Sequence, residues 1–156
     1  AFSIHNGDNA LVENVRFENI RVEDVRGDFA DFYVGLSIYS VDCPDPYRRS
    51  DPKRKPVPRE LQDPPSGDNR GQWLLPQNKA EYAAGRGRIR DVVFRNIQFL
   101  SPPGDKLPSS LFIGYDDEHS IENVVFEGVF LNGERMSGWP EGTIYTRHAK
   151  NVRFGE

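Results

Sequence analysis

The chain has 156 residues, a length typical of one domain with a sizeable core. Its 20 basic and 24 acidic residues give a net charge of −4, which carries no general signal for binding nucleic acid or an anionic membrane. The single cysteine, Cys43, excludes an internal disulfide. Neither zinc-ligand spacing nor a phosphate-binding glycine loop is present, so we expect no metal and no other cofactor.

The sequence shows no targeting or membrane-spanning segment. No apolar run is long enough to cross a bilayer, and no secretory signal peptide is visible. The chain starts at Ala1 rather than at a methionine, so we interpret it as a processed form or as a piece of a longer protein.

Short strands and longer repeated phrases alternate along the sequence. Short strands are predicted at Phe2–Ile4, Leu36–Ile38, Leu111–Ile113 and Thr143–Tyr145. The phrases are VENVRFENIRVED from Val12, IRDVVFRNIQFLS from Ile89, IENVVFEGVFLNG from Ile121 and AKNVRFGE from Ala149. Each phrase places a phenylalanine two residues after a valine and three after an asparagine or aspartate, so we interpret the four as copies of one unit.

The first phrase changes phase in its middle. Val15 and Phe17 alternate as in a strand with one buried face. The next apolar residue follows three positions later rather than two, so the phase slips near Asn19. Asn96 and Gly128 occupy the same place in the next two phrases, and asparagine and glycine are the residues that best tolerate a positive φ. We therefore predict a tight left-handed corner at these three positions.

Units of this kind bury their apolar faces by stacking on one another. At a strand spacing of about 4.8 Å, like residues form columns, which is the logic of a solenoid. We predict an all-β stack of about four rungs over residues 1–156, with an asparagine ladder at the corners. An antiparallel sandwich with similar strands is the alternative. The predicted phenylalanine ladder comprises Phe17, Phe94, Phe126 and Phe154.

The segments GLSIYS and IRDVVFRNI give the chain a recognisable likeness. They resemble the right-handed parallel β-helix of pectin-active enzymes, most closely the polygalacturonase-like glycoside hydrolases. The resemblance covers nearly all of the chain outside a long insertion. It implies three parallel sheets wound into one right-handed coil, with a sugar groove along the sheet of short strands. It also implies a polysaccharide partner and a location outside the cell or in the periplasm.

The catalytic signatures of that family fall on different residues in this chain. The family's histidine falls on Val34, its arginine on Phe112 and its lysine on Gly114, and its Asp-Asp pair would precede Ala1. No family catalytic residue is therefore carried over. We expect the C-terminal part of a polysaccharide-acting glycoside hydrolase, inactive as an isolated chain. A non-catalytic β-helix module for glycan binding, adhesion or assembly is the alternative.

Acidic residues recur after the predicted short strands, where the implied groove lies. Asp8, Asp42 and Asp117 each stand four residues after a central isoleucine, as does His148. Rungs in register would stack these residues in one column, and paired carboxylates are what glycoside hydrolysis uses. The three aspartates are therefore the candidate catalytic residues. The alternative is that each only starts a turn by accepting a backbone N–H.

The insertion, at about residues 43–85, supplies further candidates. Phe17 and Phe94 are 77 residues apart, and the proline-rich excess between them is predicted to be irregular, apart from a helical turn at 78–84. Loops of this length are usually functional or disordered. The candidate substrate-binding residues are Trp73, Tyr47 and Arg48 in the insertion, and Tyr115 and the outward-facing His5 beside the groove. A solvated flap and a surface histidine are the alternative interpretations.

The two ends of the predicted stack lack capping segments. An open rung exposes unpaired backbone groups and its apolar ladder. Phe2 and Ile4 begin in strand pattern at once, and nothing follows Phe154 to cover it. We therefore expect copies of the chain to associate through these ends.

Overall fold

The structure, a computed structural model, describes residues 1–24, 28–37, 39–43, 80–102 and 108–155. Nearly all regular structure in these ranges is β-strand. The short strands are β1 (Phe2–Asn6), β3 (Ala30–Val34), β5 (Ser110–Ile113) and β8 (Ile144–Arg147). The remaining strands are β2 (Leu11–Glu23), β4 (Arg88–Leu100), β6 (Ile121–Leu131), β7 (Glu134–Arg135) and β9 (Ala149–Phe154). One 3-10 helix occupies Ala80–Gly85.

The strands form two sheets, and the chain alternates between them. The short-strand sheet has the order β1-β3-β5-β8, and all of its neighbours are parallel. The long-strand sheet contains β2, β4, β6 and β9 in parallel, and β7 pairs with β6 in the antiparallel direction. Each pass of the chain therefore adds one strand to each sheet. The prediction of an all-β fold with parallel stacking is confirmed.

The long-strand sheet is in register along its whole height. Phe17 pairs with Phe94, Phe94 with Phe126, and Phe126 with Phe154. Their ring centroids are 4.9, 4.5 and 5.3 Å apart, and all three pairs are stacked. The predicted phenylalanine ladder is confirmed, and it lies in the core between the two sheets together with Phe32 and Phe112.

The strands β2, β4 and β6 each bend at two left-handed corners rather than one, and the shorter β9 bends at one. The predicted corner is confirmed, with φ of 57° at Asn19, 52° at Asn96 and 62° at Gly128. A second corner lies five residues earlier in each strand. Its members have φ between 55° and 58°: Asn14, Asp91, Asn123 and Asn151. The sequence-based prediction placed this position inside a continuous strand. The step of three residues from Val12 to Val15 nevertheless shows the same phase slip as the step that follows Phe17.

Amide side chains connect the corners from one rung to the next. The Asn96 side chain donates to Asn19 Oδ1 at 2.8 Å, and the Asn151 side chain donates to Asn123 Oδ1 at 2.9 Å. Asn123 donates in turn to the carboxylate of Asp91 at 2.9 Å. The predicted asparagine ladder is therefore present at both corners. The ladder supplies hydrogen-bond partners to the asparagine side chains, and asparagine is a residue type that a positive φ already favours at these corners.

The second short strand lies elsewhere than predicted. The prediction of a strand at 36–38 is wrong, because β3 occupies 30–34 and pairs Phe32 with Ile4 of β1. Only six residues then connect β2 to β3, and Phe32 enters the core beside Phe94 with ring centroids 5.9 Å apart. Leu36 is instead buried beside Cys43, directly before a turn in which the Ser40 N–H donates to the Ser37 carbonyl. The other three predicted short strands agree with β1, β5 and β8 to within two residues at either end.

The described ends of the insertion and the segment before β8 both pack on the core. The 3-10 helix at 80–85 agrees with the predicted helical turn, and residues 44–79 lie outside the described part of the chain. Trp139 contacts the core at the β9 end, with its ring 5.1 Å from Phe126 and 5.3 Å from Phe154. Trp139 therefore fills interior space where no long strand is present among the described residues.

Candidate functional site

The outer face of the short-strand sheet carries a mixed polar and aromatic surface. Alternation points every second residue of each short strand away from the core. The in-register pairing stacks these residues in two columns. One column contains Ser3, Asp31, Leu111 and Tyr145, and the other contains His5, Tyr33, Ile113 and Arg147. This is the surface along which the family resemblance implies a sugar groove.

A surface pocket of about 320 Å³ lies at the β1–β3 end of this face. It brings together two residues that the sequence analysis named separately, His5 and Asp8. The other lining residues come from the turn after β1, from β3 and from the segment that follows it: Gly7, Tyr33, Ser37 and Tyr39. An aromatic and polar lining of this kind is typical of small-ligand sites.

His5 and Asp31 form a pair at the edge of the pocket. The Nε2 atom of His5 lies 2.7 Å from Asp31 Oδ2, and the two side chains are 31% and 17% exposed. The hydrogen bond to Asp31 raises the pKa of His5 above its ordinary value, although partial burial opposes the shift. The imidazole is therefore more often protonated at neutral pH than a free histidine. The pair can donate to a ligand oxygen or hold a proton at this position.

Tyr33 lines the bottom of the pocket but is itself only 5% exposed, so the accessible ring of the pocket is that of Tyr39. The hydroxyl donates to the Leu36 carbonyl at 3.3 Å. Burial raises the pKa of Tyr33 above its ordinary value, so the phenol stays neutral. Its ring centroid is 6.0 Å from that of His5 in an edge-on arrangement. Tyr39, by contrast, is largely exposed at the pocket rim.

The three candidate catalytic aspartates do not form one column. The paired positions of β1 and β3 end at Asn6 and Val34, so the strand pairing does not extend to Asp8 or to Asp42. Each aspartate also has its own partner. Asp8 Oδ1 accepts the Val41 N–H at 3.0 Å, Asp42 pairs with Arg86, and Asp117 Oδ1 lies 2.9 Å from His148 Nδ1. The structure therefore brings together Asp117 and His148 of the predicted column, whereas the strand predicted to position Asp42 lies six residues earlier, at 30–34.

A buried arginine lies beside the pocket, and the sequence-based prediction did not include it. The Arg86 side chain is fully buried, and its guanidinium donates to the carboxylate of Asp42 and to the Gly7 carbonyl. It also donates to Ser40 Oγ at 3.3 Å and to the Tyr82 carbonyl at 3.1 Å. Arg86 thereby ties the start and the end of the insertion to the turn after β1. Three of its four acceptors belong to segments that adjoin the pocket wall.

A local signal for this arginine was present in the sequence. Arg86 stands between two glycines, Gly85 and Gly87, directly before a strand. A Cβ atom at Gly85 would collide with the Asp42 carboxylate, and one at Gly87 would collide with the Ala10 carbonyl. Glycines at such positions allow close backbone approach. The GRG motif therefore marks a crowded junction.

The remaining substrate-binding candidates are buried or lie outside the described residues. Tyr115 is only 4% exposed and packs in the core, so the prediction of an accessible ring at this position is wrong. The turn that follows Tyr115 directs it inward through a hydrogen bond from its N–H to the His119 carbonyl at 2.9 Å. The positions of Trp73, Tyr47 and Arg48 lie outside the described part of the chain.

The described residues contain neither a metal-binding cluster nor a membrane-spanning helix. No group of three or more His, Cys, Asp or Glu side chains in them is arranged to hold a metal ion. None of the described helices is long and apolar enough to cross a membrane.

Comparisons with protein-family models, with curated proteins and with solved structures found no match to this chain.

Proposed function

We propose that the chain is a right-handed parallel β-helix. Support comes from the two parallel sheets, which gain one strand each per pass of the chain, and from the corners that bend every long strand. An antiparallel sandwich does not account for the parallel pairing. The right-handed sense follows from the general preference of parallel crossover connections.

We further propose that the outer face of the short-strand sheet binds a polysaccharide. The observation that carries this proposal is the pocket in which His5 and Asp8 meet Tyr33 and Tyr39. Sugars present both hydroxyls and apolar C–H faces, and tyrosine offers a flat apolar ring with a polar tip. The carboxylate of Asp8 and the His5–Asp31 pair supply hydrogen-bonding groups around those rings. A polysaccharide partner implies a location outside the cell or in the periplasm.

The whole-protein activity that we propose is polysaccharide hydrolysis, as the resemblance to polygalacturonase-like enzymes suggests. The described residues contribute binding rather than bond cleavage. Glycoside hydrolysis needs two carboxylates within about 10 Å that flank the scissile bond. Asp8, Asp42 and Asp117 are instead engaged with three different partners. Carboxylates that are engaged in this way favour the second candidate, a non-catalytic glycan-binding module.

Affinity electrophoresis in gels that contain pectins, arabinans or glucans tests the binding proposal. We expect at least one polysaccharide to retard the chain, and we expect Tyr39→Ala to abolish most of the retardation because this ring is exposed at the pocket rim. Arg153→Ala, on the outer face of the other sheet, is the matched control and is expected to change nothing. Tyr145→Ala tests how far the binding face extends, because Tyr145 lies at the far end of the same sheet. Retardation that is equal for the wild type and Tyr39→Ala would rule out the pocket.

Hydrolysis is tested on the same panel by the release of reducing sugar. We expect no release above that of a heat-treated control, since each of the three candidate aspartates is engaged with a partner of its own. Turnover that disappears in Asp117→Asn but persists in Asp116→Asn would overturn the binding-only assignment. It would make Asp117 and His148, at 2.9 Å, the reacting pair.

A further inference from the structure

The segment that carries the exposed ring of the pocket has little apolar packing of its own. We call residues 39–43 the Tyr39 turn. Tyr39 is 61% exposed and Val41 is 78% exposed. Of these five residues, only Cys43 belongs to a buried apolar cluster, which it forms with Leu36. Because apolar burial does not hold the tip of the turn, its conformation depends on hydrogen bonds.

Two buried serines form a hydrogen-bonded frame at the base of the Tyr39 turn. Ser37 and Ser40 are only 9% and 1% exposed. The Ser37 N–H donates to Ser40 Oγ at 2.9 Å, and the Tyr39 N–H donates to Ser37 Oγ at 3.1 Å. The Ser40 N–H donates to the Ser37 carbonyl at 3.0 Å. The two hydroxyls therefore fix the backbone on both sides of Tyr39.

The turn after β1 supports this frame from one side. Ser40 Oγ donates to the Gly7 carbonyl at 2.6 Å, and a Cβ atom at Gly7 would lie only 3.0 Å from each serine hydroxyl oxygen. Asp8 Oδ1 accepts the Val41 N–H at 3.0 Å. Gly7 and Asp8 both line the pocket. The Tyr39 turn is therefore attached to the facing pocket wall at two points.

Arg86 supports the same frame from the interior. Its side chain is 0% exposed, and its guanidinium donates to the Gly7 carbonyl and, at 3.3 Å, to Ser40 Oγ. These are the two atoms that join the frame to the turn after β1. Arg86 also pairs with Asp42, which belongs to the Tyr39 turn. A planar guanidinium holds several acceptors at fixed positions, which the ammonium group of lysine does not do.

We infer that Arg86 is a positioning residue for the pocket and acts on a ligand through Ser40 and Tyr39, provided that the pocket binds a polysaccharide as proposed above. Arg86 is not among the described residues that line the pocket, so it does not itself contact the ligand. A turn that is already ordered before the ligand arrives loses little conformational freedom on binding, which increases affinity. The buried guanidinium thereby contributes to affinity through preorganisation.

Hydrogen exchange in the absence of any ligand tests the positioning itself. The amides of Tyr39 and Val41 donate to acceptors that neither Arg86→Lys nor Ser40→Ala removes. We nevertheless expect both amides to exchange about 3- to 10-fold faster in each variant, the factor that corresponds to one hydrogen bond, because the turn loses its support. Circular dichroism checks that each variant is folded.

Affinity electrophoresis on the panel of pectins, arabinans and glucans tests the effect on binding. Arg86→Lys and Ser40→Ala should each weaken, by about 3- to 10-fold, the affinity for a polysaccharide that retards the wild type. Neither change should weaken binding further in a Tyr39→Ala background, because both residues act through that ring. The residual retardation in that background is measured at a raised polysaccharide concentration. A merely structural role would not depend on Tyr39 in this way.

The same two exchanges at distant sites provide matched controls. Arg95→Lys changes an arginine that pairs with Glu18 and Glu127 on the outer face of the long-strand sheet. Ser120→Ala removes the hydroxyl of a fully buried serine that donates to Glu122 at 2.6 Å. Both controls should leave the amide exchange of the Tyr39 turn and the affinity for polysaccharide as they are in the wild type.

The outcomes distinguish a failure of binding from a failure of positioning. If no polysaccharide retards the wild type, the binding proposal fails, while faster amide exchange would still show that Arg86 orders the turn. Unchanged exchange at Tyr39 and Val41 in both variants would overturn the positioning role. Losses of affinity that add to that of Tyr39→Ala would also overturn it, since Arg86 would then act by another route. If Arg86→Lys does not fold, Ser40→Ala carries both tests.

Discussion

The long-strand sheet and the pocket end of the short-strand sheet are held together by different kinds of interaction. In the long-strand sheet the rungs repeat similar contacts, a ring on a ring and, at most corners, a polar side chain on a polar side chain. At the pocket end, a single buried guanidinium connects three separate segments. Repetition divides stability among many equivalent contacts, whereas the pocket wall depends on one polar network. A local change should therefore have different consequences in the two regions.

The largest effect is expected from the centre of the phenylalanine ladder. Phe94→Ala removes a fully buried ring that stacks between Phe17 and Phe126. We expect a loss of about 3–5 kcal/mol in the free energy of unfolding, measured by chemical denaturation, because a cavity replaces the ring. Phe154→Ala, at the half-exposed end of the same ladder, should cost clearly less. Equal losses would mean that the ladder does not act as the core.

The next largest effect is expected at the pocket wall. Arg86→Met keeps the volume of the stem but removes the guanidinium partner of the Asp42 carboxylate, whereas the Gly7 carbonyl keeps its hydrogen bond from Ser40 Oγ. We expect a loss of about 2–3 kcal/mol, since hydrogen bonds to charged groups contribute more than neutral ones. Hydrogen exchange should rise in residues 36–43 while the amides of β4 and β6 stay protected. Uniform loss of protection in both sheets would show that the network supports the whole stack.

The corners offer a smaller and more specific test. Asn96→Val should cost about 1–2 kcal/mol, because a β-branched residue resists the φ of 52° found there. Asn96→Gly removes only the exposed hydrogen bond to Asn19, and Gly128 already occupies the equivalent corner in β6, so the cost should be about 0.5–1 kcal/mol. Equal costs would mean that the amide ladder, and not the backbone angle, selects the residue.

The smallest effect is a pH dependence at the pocket. The folded-state pKa of His5 is raised by Asp31, so the pair stabilises the fold fully below the unfolded pKa of about 6.5. This contribution is lost as the pH rises through the folded pKa. The melting temperature of the wild type should therefore fall slightly relative to that of His5→Gln between about pH 6 and pH 8.5. Parallel curves for the two proteins across this range would exclude a role for the pair in stability.

The position of β3 shows why the two regions differ in how well the sequence predicts them. Residues 36–38 match the short-strand pattern as well as 30–34 do. The alternation of residue types alone does not indicate how long the connection from β2 is. In the folded chain the ring of Phe32 fits into the core beside Phe94, and this packing selects the earlier segment. Because the strand was predicted at 36–38, Asp42 was placed in a column of aspartates that the strand pairing does not form.

The amino-acid sequence by itself determined the long-strand sheet. Its phenylalanines, its phase slips and its asparagines repeat at fixed offsets, because stacked parallel strands place like residues in contact and make the same demand at every rung. Only the tertiary structure decided what surrounds the pocket. His5 and Asp31 are 26 residues apart, and Arg86 meets Asp42 and Gly7 across separations of 44 and 79 residues. These contacts occur once each, so no repetition in the sequence indicates them. The His5–Asp31 pair depends on the pairing of β1 with β3, and the contacts of Arg86 depend on the two ends of the insertion meeting the turn after β1.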